Sequence, residues 1–234
     1  MREVGEQLFA TKISDVEIKS LQRYEFAQKY CSGKDILDAA CGCGYGSNIL
    51  SKEAKSVLGV DYSTEAIDYA QKYWGAKNIT FKQSDLNSDL TNLGSFDVIV
   101  SLETVEHLDT PIIQTCQRFC QILRPGGLLI LSHPEKEAEL DSISLLARLK
   151  IMAVNIQKMI NRWHWKAVFV LWAAIKVRIL NKGRNHMSYH KHFNIDGESL
   201  KNSLAGIGFQ IKDEWYQPGR FYYPYHIIVA EKNE

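Results

Sequence analysis

Short apolar runs alternate with longer amphipathic stretches along most of the 234 residues, and the two periods predict an order of elements. Residues 35–39 (DILDA), 56–61 (SVLGVD), 79–83 (ITFKQ), 96–102 (FDVIVSL) and 128–132 (LLILS) read as strands. Residues 45–52, 63–73 and 111–123 read as the helices between them, and 20–31 as a helix ahead of the first strand. Ser63 is placed to cap the helix after the second strand, and Arg124-Pro125-Gly126-Gly127 stops the helix before the fifth. This alternation implies βαβ units and a parallel sheet, with the continuous apolar run at 96–102 in its buried middle.

The register changes after Pro134. Residues 140–182 are dominated by helix formers and interrupt the alternation. A helix at 197–207 follows, closed by Gly208, and then strands at 209–215 and 226–231 joined by the aromatic turn GRFYYPY. Two consecutive strands without a helix between them predict an antiparallel pair closing the sheet. The expected fold is α/β: a single domain over 1–234, seven-stranded, its last strand antiparallel, with a basic helical insertion at 140–192 between strands five and six.

Apolar content of 45% and charged content of 24% are ordinary for a soluble globular chain, and a net charge of +1 gives no overall reason to expect nucleic acid. The distribution of charge is not ordinary. From Asp141 to His192 ten Lys/Arg face a single acid, so this segment carries +9 and the remainder −8. The imbalance points to a local partner surface. Five cysteines, an odd number without framework spacing, read as reduced thiols, with no second pair to suggest zinc. The first residues lack the apolar core of a signal peptide, and the longest wholly apolar run, 167–175, falls short of the roughly 18 residues that span a bilayer. A cytoplasmic setting is the default.

The strongest chemical signal is the turn Asp38-Ala39-Ala40-Cys41-Gly42-Cys43-Gly44-Tyr45-Gly46. It follows an apolar strand and opens a helix, so glycines permit close approach of a ligand to backbone and the helix start offers unpaired N–H groups. Asp61 ends the next strand, where a carboxylate can accept two ribose hydroxyls. A tight turn in any α/β protein and a dinucleotide-binding dehydrogenase both satisfy these features.

Further motifs separate the alternatives. ILDAACGCGYG, GVDYSTEAIDYA, the QSDL of Gln83–Leu86, FDVIVSLETVEHL and LRPGGLLILSHP occur in the order found in class I S-adenosylmethionine-dependent methyltransferases, which the chain resembles over most of residues 20–133 and again over 190–231. One departure is Ala40, where many members have Gly. The resemblance implies a Rossmann-like α/β/α sandwich and S-adenosyl-L-methionine as cofactor. It implies that Asp38, Ala40, Gly42 and Gly44 surround the methionine part, Asp61 holds the ribose, Tyr62 packs on the adenine, and Asp85 with the Leu86 amide reads the adenine edge. Ser101 would lie near the sulfonium, and Arg23 near the cofactor carboxylate. Each residue also has a plain structural alternative: Asp38 and Asp85 as strand-end caps, Tyr62 as ordinary packing, Arg23 as a solvated helix residue.

Methyl transfer is an in-line displacement at an activated carbon, so alignment contributes most, and a base is required only for a hydroxyl or a protonated amine. His107, just past the fourth strand, is the first candidate for catalysis and His133, past the fifth, the second; a structural histidine is the alternative for His107. Glu103, Glu106 and His107 point in divergent directions if helical, and no metal is expected. The segment 143–182, with Trp163, Trp165 and Trp172 among its basic residues, reads first as a lid, second as a peripheral contact with anionic membrane, and third as an RNA surface, nucleic acid being unlikely on balance. The core resembles ubiquinone-pathway O-methyltransferases and methyltransferases of bacterial polysaccharide clusters, which implies a small-molecule, sugar or lipid-linked acceptor. Tyr189, His190 and His192 resemble a stretch placed beside the acceptor; anchoring the insertion is their alternative. N- or C-methylation, and a non-catalytic cofactor-binding interaction subunit, are the competing functions.

Overall fold

A computed structural model describes residues 2–4, 7–134, 196–217 and 225–233, with side chains described from Ala10 onward. The insertion expected at 140–192 lies outside the described residues, as do 218–224 of the aromatic turn. The chain opens with a two-stranded antiparallel ribbon, β1 (Arg2–Val4) and β2 (Gln7–Phe9). Strands of three residues carry too little alternation to be read from a sequence pattern.

The main sheet has seven strands: β3 (Asp35–Ala39), β4 (Ser56–Asp61), β5 (Ile79–Gln83), β6 (Phe96–Ser101), β7 (Leu123–Pro134), β8 (Phe209–Gln217) and β9 (Tyr225–Lys232). Their order is β5-β4-β3-β6-β7-β9-β8. The first five are parallel, and β9 runs antiparallel to both β7 and β8. Burial explains the placement: the HIIVA stretch of β9 is buried throughout, which suits a central position, whereas β8 interleaves exposed Gln210, Lys212 and Asp213 and can face solvent. β7 also begins at Leu123, not at Leu128, because Arg124–Gly127 continue the strand as an irregularity against β6.

Helices cover both faces. α1 (Ile18–Gln28) and α2 (Tyr45–Ser51) pack Tyr24, Phe26, Ala27, Ile49 and Leu50 against Ile36, Val98, Val100, Ile130 and Val229. α3 (Thr64–Trp74) extends this layer through Ile67, Ala70 and Trp74, against Phe81. On the other face α4 (Ile112–Ile122) and α5 (Gly197–Gly206) bury Phe119, Ile122, Leu200 and Leu204 against Leu37, Ile99, Leu129 and Leu131. The alternation of Ile36 with Leu37, and of Val98 and Val100 with Ile99, sends successive side chains of the central strands to opposite layers. Ser63 caps α3 as anticipated, accepting a hydrogen bond from Ala66 N–H at 3.2 Å. No helix among the described residues is long and apolar enough to cross a membrane.

The Arg-Pro-Gly-Gly turn lies where the parallel strands begin. Arg124 bridges Asp35 at 3.1 Å and Asp97 at 2.7 Å, tying β3, β6 and β7 together. Lys232 closes the same region, donating to the carbonyls of Cys120 (2.8 Å) and Leu123 (2.7 Å) at the end of α4.

The contact of α1 with α2 has no room to spare: a Cβ on Gly46 would fall 2.0–2.5 Å from the Tyr24 ring. Gly46→Ala should therefore displace α1 and destabilise the domain by about 1–3 kcal/mol, the range for overpacking. Urea denaturation should show the midpoint falling, and an unchanged midpoint would mean that α1 is free to shift.

Candidate functional site

The chain runs outward from β3 to β4 and β5, then returns to place β6 on the other side of β3. This reversal is the point at which an open parallel sheet leaves a crevice beyond the carboxyl ends of its strands. Asp38 pairs with Val100 in register, so Ala39 and Ser101 end their strands side by side at that point.

The turn leaving β3 has three residues with positive φ: Ala40 (62°), Gly42 (53°) and Gly44 (91°). Ala40 adopts the left-handed region at a cost of about 1–2 kcal/mol that a glycine would not incur. The two glycines serve different ends. A Cβ on Gly44 would lie 2.6 Å from Ala70 Cβ and 2.9 Å from Phe81 Cζ, so packing excludes a side chain. A Cβ on Gly42 would meet nothing within 4 Å: the open side of the turn is backbone that a ligand can approach.

Two carboxylates hold this turn. Asp38 is fully buried and accepts from the Ser47 hydroxyl of α2 at 2.6 Å and the Tyr24 hydroxyl of α1 at 3.2 Å. Burial pushes its pKa up to about 7 against the pull of those two donors. Asp61 accepts from Gly42 N–H at 2.8 Å through one oxygen and from Ser63 N–H at 2.9 Å through the other, joining the turn to the start of α3. Next to it Tyr62 is 74% exposed, an aromatic ring presented to solvent where ordinary packing would have hidden it. After β5, Asp85 accepts from the backbone and side-chain nitrogens of Asn87 at 2.8 and 3.0 Å, and Leu86 is buried in the core beside it. Ser101 is fully buried, and its hydroxyl has no hydrogen-bond partner among the described residues.

Arg23 is 3% exposed. Its guanidinium binds Glu103 and Gln217 Oε1, reaches the Ser20 hydroxyl at 3.1 Å, and lies 4.8 Å from the centre of the Tyr225 ring. A buried guanidinium with this many partners is a hub between α1, the exit of β6 and the β8–β9 pair, not a solvated helix residue. Glu103 is itself unusual, with φ of 53° and its N–H donated to the Ser132 hydroxyl at 2.7 Å. In the sequence Glu103 stands out only as part of an acidic-His cluster. Nothing local marks Gln217 or Ser132, since their partners are distant along the chain.

The two histidines singled out from sequence have different settings. His107 is half-buried in a short 3-10 helix, Val105–His107, just beyond β6. His133 is fully buried on β7, its Nδ1 donating to the Pro134 carbonyl at 3.2 Å and its ring edge-on to His226 at 5.2 Å. Burial pushes His133 down to about 4. His226 Nε2 is 2.8 Å from Glu214, which Lys201 also binds. Among the described residues no three His, Cys, Asp or Glu converge as metal ligands would. Tyr189, His190 and His192 lie outside the described residues.

The turn, Asp61, Tyr62, Asp85, Ser101, Glu103 and His107 therefore line the carboxyl ends of adjacent parallel strands. Residues 36–127 match a family model described as a methyltransferase domain. The chain is 34% identical over 109 residues to a ubiquinone biosynthesis O-methyltransferase of Actinobacillus pleuropneumoniae, covering 43% of this chain and 45% of that protein. It is 29% identical over 115 residues to a probable S-adenosylmethionine-dependent methyltransferase of Mycolicibacterium smegmatis, covering 48% and 43%. The chain spans about half the length of the curated relatives it matches. Among solved structures, magnesium protoporphyrin IX methyltransferase from Synechocystis with bound S-adenosylhomocysteine has a TM-score of 0.58 at 20% identity, covering 92% of this chain and 81% of that one. The shared architecture is the seven-stranded methyltransferase fold.

Asp38 and His133 make opposite contributions to acid stability. Asp38 at about 7 holds a proton in the folded state that the unfolded state releases down to its ordinary 3.8, so acidification through this window stabilises. His133 at about 4 refuses a proton that the unfolded state takes up from 6.5 downward, so the same acidification destabilises. Asp38→Asn removes only the first. Between pH 6.5 and 4.5 the variant should lose about 2 kcal/mol more stability than the parent. Urea unfolding at the two pH values measures this, and parallel losses would mean that Asp38 titrates normally.

Proposed function

We propose that this chain, which carries a methyltransferase domain over residues 36–127, binds S-adenosylmethionine along the carboxyl edge of its sheet and transfers the methyl group to an oxygen of a small-molecule, sugar or lipid-linked acceptor. The observation that carries the reading is the open backbone at Gly42, bracketed by Asp61 and by the end of β6 at the sheet's switch point.

The amides of the 40–44 turn and the N-terminus of α2 supply donors for the methionine carboxylate. Asp61 accepts from the ribose hydroxyls while its existing bonds to Gly42 and Ser63 fix its orientation. Tyr62 stacks on the adenine, and Asp85 with the Leu86 amide reads its edge. Ser101, where β3 and β6 end together, would border the sulfonium. Asp38 positions the turn from within through Tyr24 and Ser47.

When an acceptor oxygen attacks the methyl carbon, the new C–O bond forms as the C–S bond breaks, and the sulfonium leaves as a thioether. The protein supplies alignment and exclusion of water. We assign the acceptor's proton to His107 over His133, because His107 has an exposed surface at the edge and His133 has none. Preference for oxygen follows the named activity of the ubiquinone-pathway relatives. The basic segment 143–182 is assigned as an acceptor lid that also contacts anionic lipid, on its +9 neighbourhood and interleaved tryptophans.

Calorimetric titration with S-adenosylhomocysteine tests the central claim, since absence of binding would sink it. Asp61→Ala should weaken that binding by about 1.5–3 kcal/mol, roughly ten- to hundredfold, through loss of charge-assisted ribose bonds. An unchanged affinity would remove Asp61 from the site. Co-sedimentation should show binding to anionic vesicles, weakening as salt rises, and none to neutral ones. Equal binding to both, or to neither, would leave the segment without a membrane role.

A further inference from the structure

Glu103 combines three observations that ordinary loop packing does not require together. Its backbone sits at φ 53°, the left-handed region that a residue with a Cβ occupies only under strain. That conformation is over-determined, by the N–H bond to Ser132 and by the side-chain bonds to Arg23 and Tyr225. Strain retained in this way is characteristic of functional positions. The partners are sequestered, with Ser132 fully buried and Arg23 nearly so, yet 36% of the Glu103 side chain stays accessible. Its neighbour Glu106 is fully buried, and Asp38 lies inside the fold. Glu103 is thus the accessible carboxylate immediately beyond β6, two residues after Ser101.

Resting on the cofactor placement above, the end of β6 would border the donor's sulfonium, a fixed positive charge. We propose that Glu103 is a specificity-determining carboxylate that faces this sulfonium and favours the charged methyl donor over the neutral thioether product. Arg23 and Tyr225 act through Glu103 as positioning residues, holding its carboxylate at the edge. The two ligands differ by one methyl group and one unit of charge, so a nearby carboxylate discriminates between them chiefly by Coulomb attraction. The ion pair with Arg23 offsets part of the carboxylate's charge, and the remaining attraction corresponds to about three- to tenfold in affinity. Such a preference lets the product leave as soon as the charge is spent.

The test is the ratio of dissociation constants for S-adenosylhomocysteine and S-adenosylmethionine, measured by calorimetry on the full chain. Glu103→Gln keeps the side-chain volume and an oxygen for Arg23 and Tyr225, and should shift the ratio three- to tenfold toward the product. Glu103→Asp keeps the charge and should stay within about twofold of the parental ratio. It also covers the case in which Glu103→Gln fails to fold, because a ratio in Glu103→Asp displaced as far as three- to tenfold would then count against the proposal. Equal losses for both ligands in Glu103→Gln, or no change in ratio, would overturn the proposal and leave Glu103 a structural anchor. A parent chain that binds neither ligand would instead overturn the cofactor reading beneath it.

Discussion

Five residues of backbone, 40 to 44, carry the architecture of this site. The turn leaves β3 with positive φ at three positions and must enter α2 within a few residues. Its conformation is held from both sides, with Asp61 taking the Gly42 amide from β4 and Asp38 anchoring Ser47 of α2 and Tyr24 of α1. Neither carboxylate is placed for its own sake. Asp38 gives up the solvation of a charge, and its pKa rises to about 7 as a result, in exchange for fixing two helices against the sheet. Asp61 retains an ordinary strand-end position while its two oxygens define where Gly42 and Ser63 sit.

The rest of the carboxyl edge follows from that turn. Because β6 returns beside β3, Ala39 and Ser101 end their strands side by side, and the turn through Gly42 leaves from one while Glu103 follows the other. The polar edge is backed by two apolar layers, one under α1 and α2 and the other under α4 and α5, which leave the buried polar groups few places to find partners. The Arg23 hub is the main solution on the α1 side, and the His226–Glu214–Lys201 chain on the α5 side. Both recruit residues from β8 or β9, so the antiparallel end of the sheet contributes to the site without belonging to its parallel scaffold.

Much of this was legible in the sequence. The periods of strands β3 to β6 and of α1 to α4 are strong because each element buries one defined face, and the Ser63 cap and the glycine turn are local signals read over a few residues. The order of the last two strands was not legible. A hairpin can dock through either strand, and the choice rests on which of the two is apolar enough to be buried on both faces. The short ribbon β1–β2 and the early start of β7 were missed for want of periodicity.

Fold class, the glycine turn and the alignment of Asp61, Asp85 and Ser101 near strand ends are written in local pattern, because backbone propensity and side-chain period act over neighbouring residues. Long-range packing alone buries Arg23 against Glu103, Gln217 and Tyr225, turns Asp38 inward to Tyr24 and Ser47, and encloses His133 but not His107. Those outcomes depend on contacts between residues about 200 positions apart. Burial and partner charge are properties of such contacts, and no local pattern encodes them.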